Sequence, residues 1–113
     1  MKRRLAGELL RLPVRTHDTT IGRPVDVIVD PVQNRAVGFD VLCRDEEHRF
    51  LPWTAAVIEE NAITVGSPIV MLAEQQLAFY RDRARSLREL VPVLENVLIE
   101  PDGTLEVVSD DAA

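Results

Sequence analysis

The stretch Val25–Val41, VDVIVDPVQNRAVGFDV, contains two apolar runs on either side of a polar turn. The first run has a valine at every second position, which is the period of a strand that buries one face. Asp30 and Pro31 then favour a turn, because aspartate accepts hydrogen bonds from the following amides and proline presets φ at about −65°. The stretch therefore predicts a β-hairpin. On its return strand four apolar residues alternate on one predicted face: Val37, Phe39, Val41 and Cys43.

Short apolar segments separated by turn residues continue on both sides of this hairpin. Glu8–Arg15 reads as a strand that contains Pro13, and proline limits it to an edge or a bulge because it has no amide hydrogen. His48–Leu51 and Ala62–Val65 predict two more short strands. The sequence assigns neither helix nor strand to the segment after Trp53. This succession predicts a small antiparallel barrel whose interior is filled by side chains.

A helical period replaces the strand period in the C-terminal part. Ser67 and Pro68 form a helix-start signal, and Pro92 ends the predicted helix. A second hairpin is predicted over Glu95–Val108 around the turn at Pro101–Gly103. The apolar stripe of the helix consists of Val70, Ala73, Leu77, Tyr80, Ala84, Leu87 and Val91, and a separate row consists of Arg81, Arg85 and Arg88.

Five N-terminal segments follow one another in an order typical of a known barrel family. They are Leu12–Val14, Ile21–Pro31, Arg35–Val37, Phe50–Trp53 and Ala62–Val65. Together they resemble the PRC-barrel family, a small β-barrel found in the photosynthetic reaction-centre H subunit and in a ribosome-maturation factor. The resemblance covers roughly residues 8–70. It implies a domain that docks to partner proteins through its surface, and it supplies no catalytic residues.

The residues and the resemblance together predict four segments. Residues 1–7 are expected to be a disordered basic lead-in, and residues 109–113 a disordered tail. Residues 8–70 form the PRC-barrel-like domain, and 71–108 resemble a truncated second repeat made of a helix and a hairpin. An isolated hairpin is marginal in water, so this hairpin is expected to pack on its own barrel or on a neighbouring subunit.

Charge and composition exclude several classes of function. The net charge of −6 argues against general nucleic-acid binding, because neutralising phosphates needs a concentrated basic surface. The longest apolar run, Ile69–Ala73, is far shorter than the roughly 18 residues of a membrane span, and no signal-peptide pattern begins the chain. We therefore expect a cytoplasmic protein without membrane insertion. Cys43 is the single cysteine and is expected to be a small buried apolar residue.

No arrangement of residues predicts an enzyme. His17 and His48 each stand beside an acid, at Asp18 and Glu47, but no nucleophile accompanies either, so exposed loop histidines are the favoured interpretation. Nucleotide-binding and zinc-protease motifs do not occur in the sequence. We expect no catalytic, cofactor-binding or metal-binding residues, and no small-molecule ligand, because so few strands enclose only their own side chains.

The sequence favours a non-enzymatic adaptor of PRC-barrel type that binds another protein and forms a homodimer. A monomer whose helix stripe covers an edge of its own barrel is the alternative to the dimer. An accessory factor in RNA processing or ribosome assembly is the alternative function, and the acidic charge weakens it. The candidate interface residues are Trp53, Leu77, Tyr80, Ala84, Leu87, Val91, Val97 and Ile99.

Overall fold

A computed structural model gives the structure, and it describes residues 3–66, 84–91 and 93–107. These residues are mainly β-strands, which form two sheets. The helices among them are short: α1 (Ala6–Leu9), α2 (Leu87–Leu90) and single 3₁₀ turns at Trp53–Ala55 and Leu94–Asn96. The prediction of a mainly β protein is confirmed. No helix within these ranges is long and apolar enough to cross a membrane.

The N-terminal segment is folded against the rest of the chain. β1 (Arg4–Leu5) runs directly into α1, and β2 begins only at Val14 (Val14–Thr16). Ala6 and Leu9 are completely buried. The expected disorder of residues 1–7 is therefore wrong for residues 3–7, and so is the strand expected from Glu8. The reason is that Ala6 and Leu9, three positions apart, share one face of a helical turn and bury it in the core.

β3 (Thr19–Asp30) and β4 (Arg35–Cys43) are the central strands of the larger sheet. They pair antiparallel from Gly22 opposite Cys43 to Asp30 opposite Arg35, so the hairpin predicted from the sequence is confirmed. The Asp30 carboxylate accepts hydrogen bonds from the amides of Val32 at 2.9 Å and Gln33 at 3.3 Å, and Asn34 has a φ of +57°. The turn thus has the side-chain chemistry that its sequence indicates.

Five further strands complete the larger sheet: β2, β5 (His48–Pro52), β6 (Val57–Ile58), β7 (Ile63–Thr64) and β8 (Arg85–Ser86). The order is β5-β4-β3-β2-β7-β6, with β8 beside the C-terminal half of β3. Val14 of β2 pairs in parallel with Ile63 of β7. Among the described strands β5 and β6 stay unpaired with each other, so the sheet is open where a closed barrel was expected. β6 has two residues, and both pair with β7.

The smaller sheet joins the two ends of the described chain. β9 (Val97–Ile99) lies in the middle and pairs antiparallel with β1 on one side and β10 (Leu105–Val107) on the other. The turn between β9 and β10 packs on the β3–β4 turn: the Ala36 amide donates to the Gly103 carbonyl at 2.7 Å, and the Leu105 amide donates to the Asn34 carbonyl at 3.0 Å. The C-terminal hairpin therefore packs on its own chain.

Most of the long helix predicted after Ser67 falls on residues 67–83, which lie outside the described residues. Within the described part the prediction is wrong, because Arg85–Ser86 forms β8 and only Leu87–Leu90 forms a helical turn. Asp26 of β3 explains the interruption. Its carboxylate accepts hydrogen bonds from the Ser86 hydroxyl and from the Arg88 amide, which fixes this segment along β3.

The centre of the larger sheet is buried on both faces. Val27 and Phe39 belong to the main hydrophobic core, which also receives Leu9, Ile63 and Ile99. On the other face, Ile28, Phe50 and Ala84 form a second cluster. Burial on both faces explains why Val25–Val29 has apolar residues at consecutive positions as well as at alternate ones.

Candidate functional site

Most described members of the predicted interface lie inside the chain. Four of them are at most 4% exposed and pack in the two hydrophobic clusters: Ala84, Leu87, Val97 and Ile99. This corrects the prediction, because side chains that fill the core of their own subunit are inaccessible to a partner. Val91 is half-buried. Leu77 and Tyr80 lie outside the described residues.

Trp53 holds the C-terminal hairpin against the larger sheet. Its ring stacks on Phe39 with a centroid distance of 5.4 Å and an interplanar angle of 27°. Its Nε1–H donates to the Pro101 carbonyl at 3.1 Å. The ring remains half-buried, and its outer part lines a groove of about 480 Å³ together with Val57 and Asp102. Trp53 therefore has a structural role within the chain and leaves only part of its ring for other contacts.

A larger groove of about 630 Å³ lies at the other end of the β3–β4 pair. Three arginines line it, at Arg11, Arg23 and Arg44, and we call it the arginine groove. The rest of its lining is mainly aliphatic, with Leu10, Leu12, Pro13 and Leu42. It combines an apolar surface with cations in one concave, solvent-open site.

Close backbone contacts position the walls of the arginine groove. After α1, the Leu12 amide donates to the Leu9 carbonyl at 3.2 Å, which turns the chain toward Pro13 and β2. On the other wall, the Arg44 amide donates to the Ile21 carbonyl at 3.2 Å. Gly22 allows this approach of β3 to β4, because a Cβ there would lie 2.7 Å from the Leu42 carbonyl oxygen.

The arginine groove is electropositive on a chain of net charge −6. Within the described part of the chain, the guanidinium groups of Arg23 and Arg44 form no hydrogen bond or ion pair. Arg11 pairs with Glu95 at 3.3 Å, and both side chains are more than half exposed. Such an exposed pair is worth little and exchanges readily for another carboxylate. No acidic side chain lines the groove within the described ranges.

A smaller groove of about 390 Å³ continues from the arginine groove and shares Arg44 with it. It contains Asp45 and Arg49, which form a two-bond ion pair with nitrogen–oxygen distances of 3.0 and 2.7 Å. The Arg49 guanidinium, followed by the Glu47 backbone amide, lowers the pKa of Asp45 to about 2. The carboxylate in turn raises the pKa of Arg49 above its ordinary value. The charge of Asp45 is thus neutralised by Arg49, and the Arg44 guanidinium remains free to bind another anion.

The two histidines occupy different environments. His17 lies in the β2–β3 turn with a φ of +52° and is exposed, as the loop interpretation expects. His48 lies on β5, and its Nδ1 is 2.9 Å from a carboxylate oxygen of the buried Asp40. The loop interpretation is wrong for His48, because β4–β5 pairing brings Asp40 beside it in place of Glu47. No cluster of three His, Cys, Asp or Glu residues able to hold a metal ion occurs in the described residues.

Comparisons with protein-family models, with curated proteins and with solved structures found no match. The PRC-barrel resemblance therefore stays a prediction. The arginines of the arginine groove stand far apart in the sequence, so no local pattern predicts that they line one site. The only sequence signals near the arginine groove are Pro13 and Gly22, and both concern backbone geometry rather than binding.

Proposed function

We propose that this chain is a non-enzymatic interaction module of PRC-barrel type that binds another protein through the arginine groove. The observation that carries the proposal is the juxtaposition of the guanidinium groups of Arg23 and Arg44, which have no partner among the described residues, with half-buried aliphatic side chains. Protein interfaces are enriched in arginine and surround apolar contacts with polar groups. The groove therefore combines the two kinds of contact that stabilise a protein complex.

The packing of the main core also favours a working surface on the outside. Phe39 and Leu51 have no exposed surface and pack in this core, and Phe50 is equally buried in the second cluster. The PRC-barrel type rests on the order of the N-terminal segments, and the β3–β4 hairpin at the sheet's centre is consistent with it. In this proposal the folded sheet presents the groove and takes no part in chemistry.

Site-specific photo-crosslinking in the native cells tests the proposal. A photo-reactive amino acid replaces Thr20, an exposed residue that lines the arginine groove, or Val32, which is 92% exposed in the β3–β4 turn. We expect one discrete adduct with another protein from position 20 and none from position 32. Identical adduct patterns from both positions, or no adduct at position 20, would contradict the proposal.

We extend the proposal to a homodimer that uses the surface around Val91. Leu90 is 47% exposed and Val93 is 44% exposed, and they flank the half-buried Val91. Apolar surface of this kind is stabilised by burial, by roughly 25 cal/mol for each Å² removed from water. A second copy of the chain is the proposed occupant of this surface.

The alternative function, the cellular location and the role of Cys43 were also predicted from the sequence. The RNA-processing alternative has no specific structural observation in its favour, since the positive charge is local and the chain as a whole is acidic. The cytoplasmic location stays a prediction. Cys43 is a buried free thiol, which agrees with its predicted role as a small apolar core residue.

A further inference from the structure

We infer that the partner segment bound by the arginine groove is acidic and aliphatic, a stretch in which Asp or Glu alternates with Leu, Ile or Val. This inference rests on the proposed function and names the chemistry of the partner. Three features support it: the charges of the arginine groove, its apolar lining and the neighbouring Asp45–Arg49 ion pair.

The charges of the groove select an anionic partner. Arg23 and Arg44 have no partner in the described chain, and Arg11 has only an exposed one in Glu95. A guanidinium binds a carboxylate through two parallel hydrogen bonds, which gives geometric specificity as well as attraction. The rest of the surface is acidic on balance and repels anions, so electrostatic attraction guides an acidic segment to this groove in preference to other parts of the molecule.

The apolar lining distinguishes a peptide from a nucleic acid. Leu10, Leu12, Pro13 and Leu42 provide aliphatic surface, and no aromatic ring lines the groove among the described residues. Single-stranded nucleic acids bind by stacking their bases on aromatic rings along a basic track, and the described lining of this groove has the basic residues without the rings. Aliphatic side chains of a peptide fit this lining by the hydrophobic effect.

The adjacent ion pair keeps Asp45 from competing for Arg44. Asp45 is the nearest acid in the continuing groove, and both of its carboxylate oxygens are bound by Arg49. The Glu47 amide donates to the same carboxylate at 3.0 Å. Because Asp45 is held by these contacts, it does not neutralise Arg44, and an incoming carboxylate meets an unpaired cation.

The first test measures fluorescence anisotropy with a short labelled peptide in which Glu and Leu alternate. Three probes of equal length serve as controls: a peptide with Lys for Glu, a peptide with Ser for Leu, and a single-stranded RNA. We expect the Glu–Leu peptide to bind at least about tenfold more tightly than each control, since charge and apolar contact both contribute. Equal or tighter binding of the Lys peptide or the RNA would overturn the inference.

The second test compares two double variants with the same net charge. Arg23→Glu with Arg44→Glu changes the groove, whereas Arg3→Glu with Arg35→Glu changes arginines that do not line it and that form only exposed ion pairs. We expect the groove variant to weaken Glu–Leu binding at least about tenfold and the control variant by less than roughly twofold. Equal losses would show that net charge decides, which would overturn the inference. The milder Arg23→Gln with Arg44→Gln pair checks the result if a charge reversal impairs folding.

The remaining outcomes separate this inference from the proposed function. If position 20 crosslinks to a partner while the Glu–Leu peptide fails to bind, the module function stands and the acidic chemistry is wrong. If Asp110→Asn with Asp111→Asn raises peptide affinity at least about tenfold, the chain's own acidic tail is the occupant, and the assignment to a partner protein is overturned. An unchanged affinity in that variant supports the partner.

Discussion

At the scale of single residues, Gly103 determines how the two sheets meet. Its φ is +94°, and a Cβ at this position would lie 2.9 Å from the Ala36 carbonyl oxygen. We predict that Gly103→Ala lowers the free energy of unfolding by about 1–3 kcal/mol, because a non-glycine residue is strained in this conformation. Gly66→Ala is the matched control, since a Cβ there has no atom within 4 Å. Chemical denaturation that gives the same stability for both variants would contradict the prediction.

Asp30 has a local role in the β3–β4 turn. Its carboxylate accepts two backbone hydrogen bonds, from Val32 and Gln33. We predict that Asp30→Ala lowers the free energy of unfolding by about 1 kcal/mol, as for the loss of a capping side chain, and that Asp30→Asn loses less because it keeps an acceptor oxygen. Thermal denaturation measures the difference. A melting temperature for Asp30→Ala equal to that of the native chain would refute this role.

Asp45 makes the loop beside the arginine groove sensitive to acid. Its pKa falls from 3.8 to about 2 in the folded protein, mainly through the hydrogen bonds from Arg49. A lowered pKa means that the unfolded chain binds this proton more tightly. The stabilisation is therefore complete well above pH 3.8 and is lost as the pH falls toward about 2.

Nuclear magnetic resonance of the side-chain carboxyl carbon checks this value. We predict a midpoint near 2 in the native protein and a higher midpoint in Arg49→Gln, although still below 3.8 because the Glu47 amide continues to donate. A midpoint near 3.8 in the native protein would show that the ion pair is absent in solution.

At the scale of elements, the C-terminal hairpin depends on Trp53 as well as on its backbone contacts. We predict that Trp53→Phe keeps the stacking on Phe39, loses the hydrogen bond to Pro101, and lowers the free energy of unfolding by about 1 kcal/mol. Trp53→Ala loses both contacts and should cost more. Denaturant unfolding measures both. If Phe and Ala had equal effects, the stacking would contribute nothing to the docking of the hairpin.

The elements also show where sequence periodicity holds and where it fails. Phe39, Val41 and Cys43 lie in the main core, as their alternation predicts. Val37 packs with the second cluster on the other face, because it is the extra residue of a β-bulge between Gly38 and Ala36. The register shift depends on pairing with Ile28 and Val29 of β3. A pattern within one strand therefore does not reveal it.

At the scale of the whole molecule, the chain is expected to associate through Leu90 and Val93. We predict a dimer in sedimentation velocity at tens of micromolar. Leu90→Lys with Val93→Lys should shift it to a monomer that still unfolds cooperatively, because Leu90 and Val93 are 47% and 44% exposed in the subunit. Its melting temperature should be compared with that of the native chain diluted until it is monomeric, since dimerisation itself stabilises the fold. A native chain that sediments as a monomer at this concentration would contradict the homodimer.

Three local features of this protein could be predicted before its fold was known: the β3–β4 hairpin, the Asp30 turn and the burial of Cys43. Side-chain alternation and turn chemistry depend on residues that are near in sequence, so they can be read directly. Two others are visible only in the folded chain: Leu87 belongs to the core, and Arg11, Arg23 and Arg44 line one groove. These arrangements depend on strand order and on packing between distant segments, which no local pattern contains.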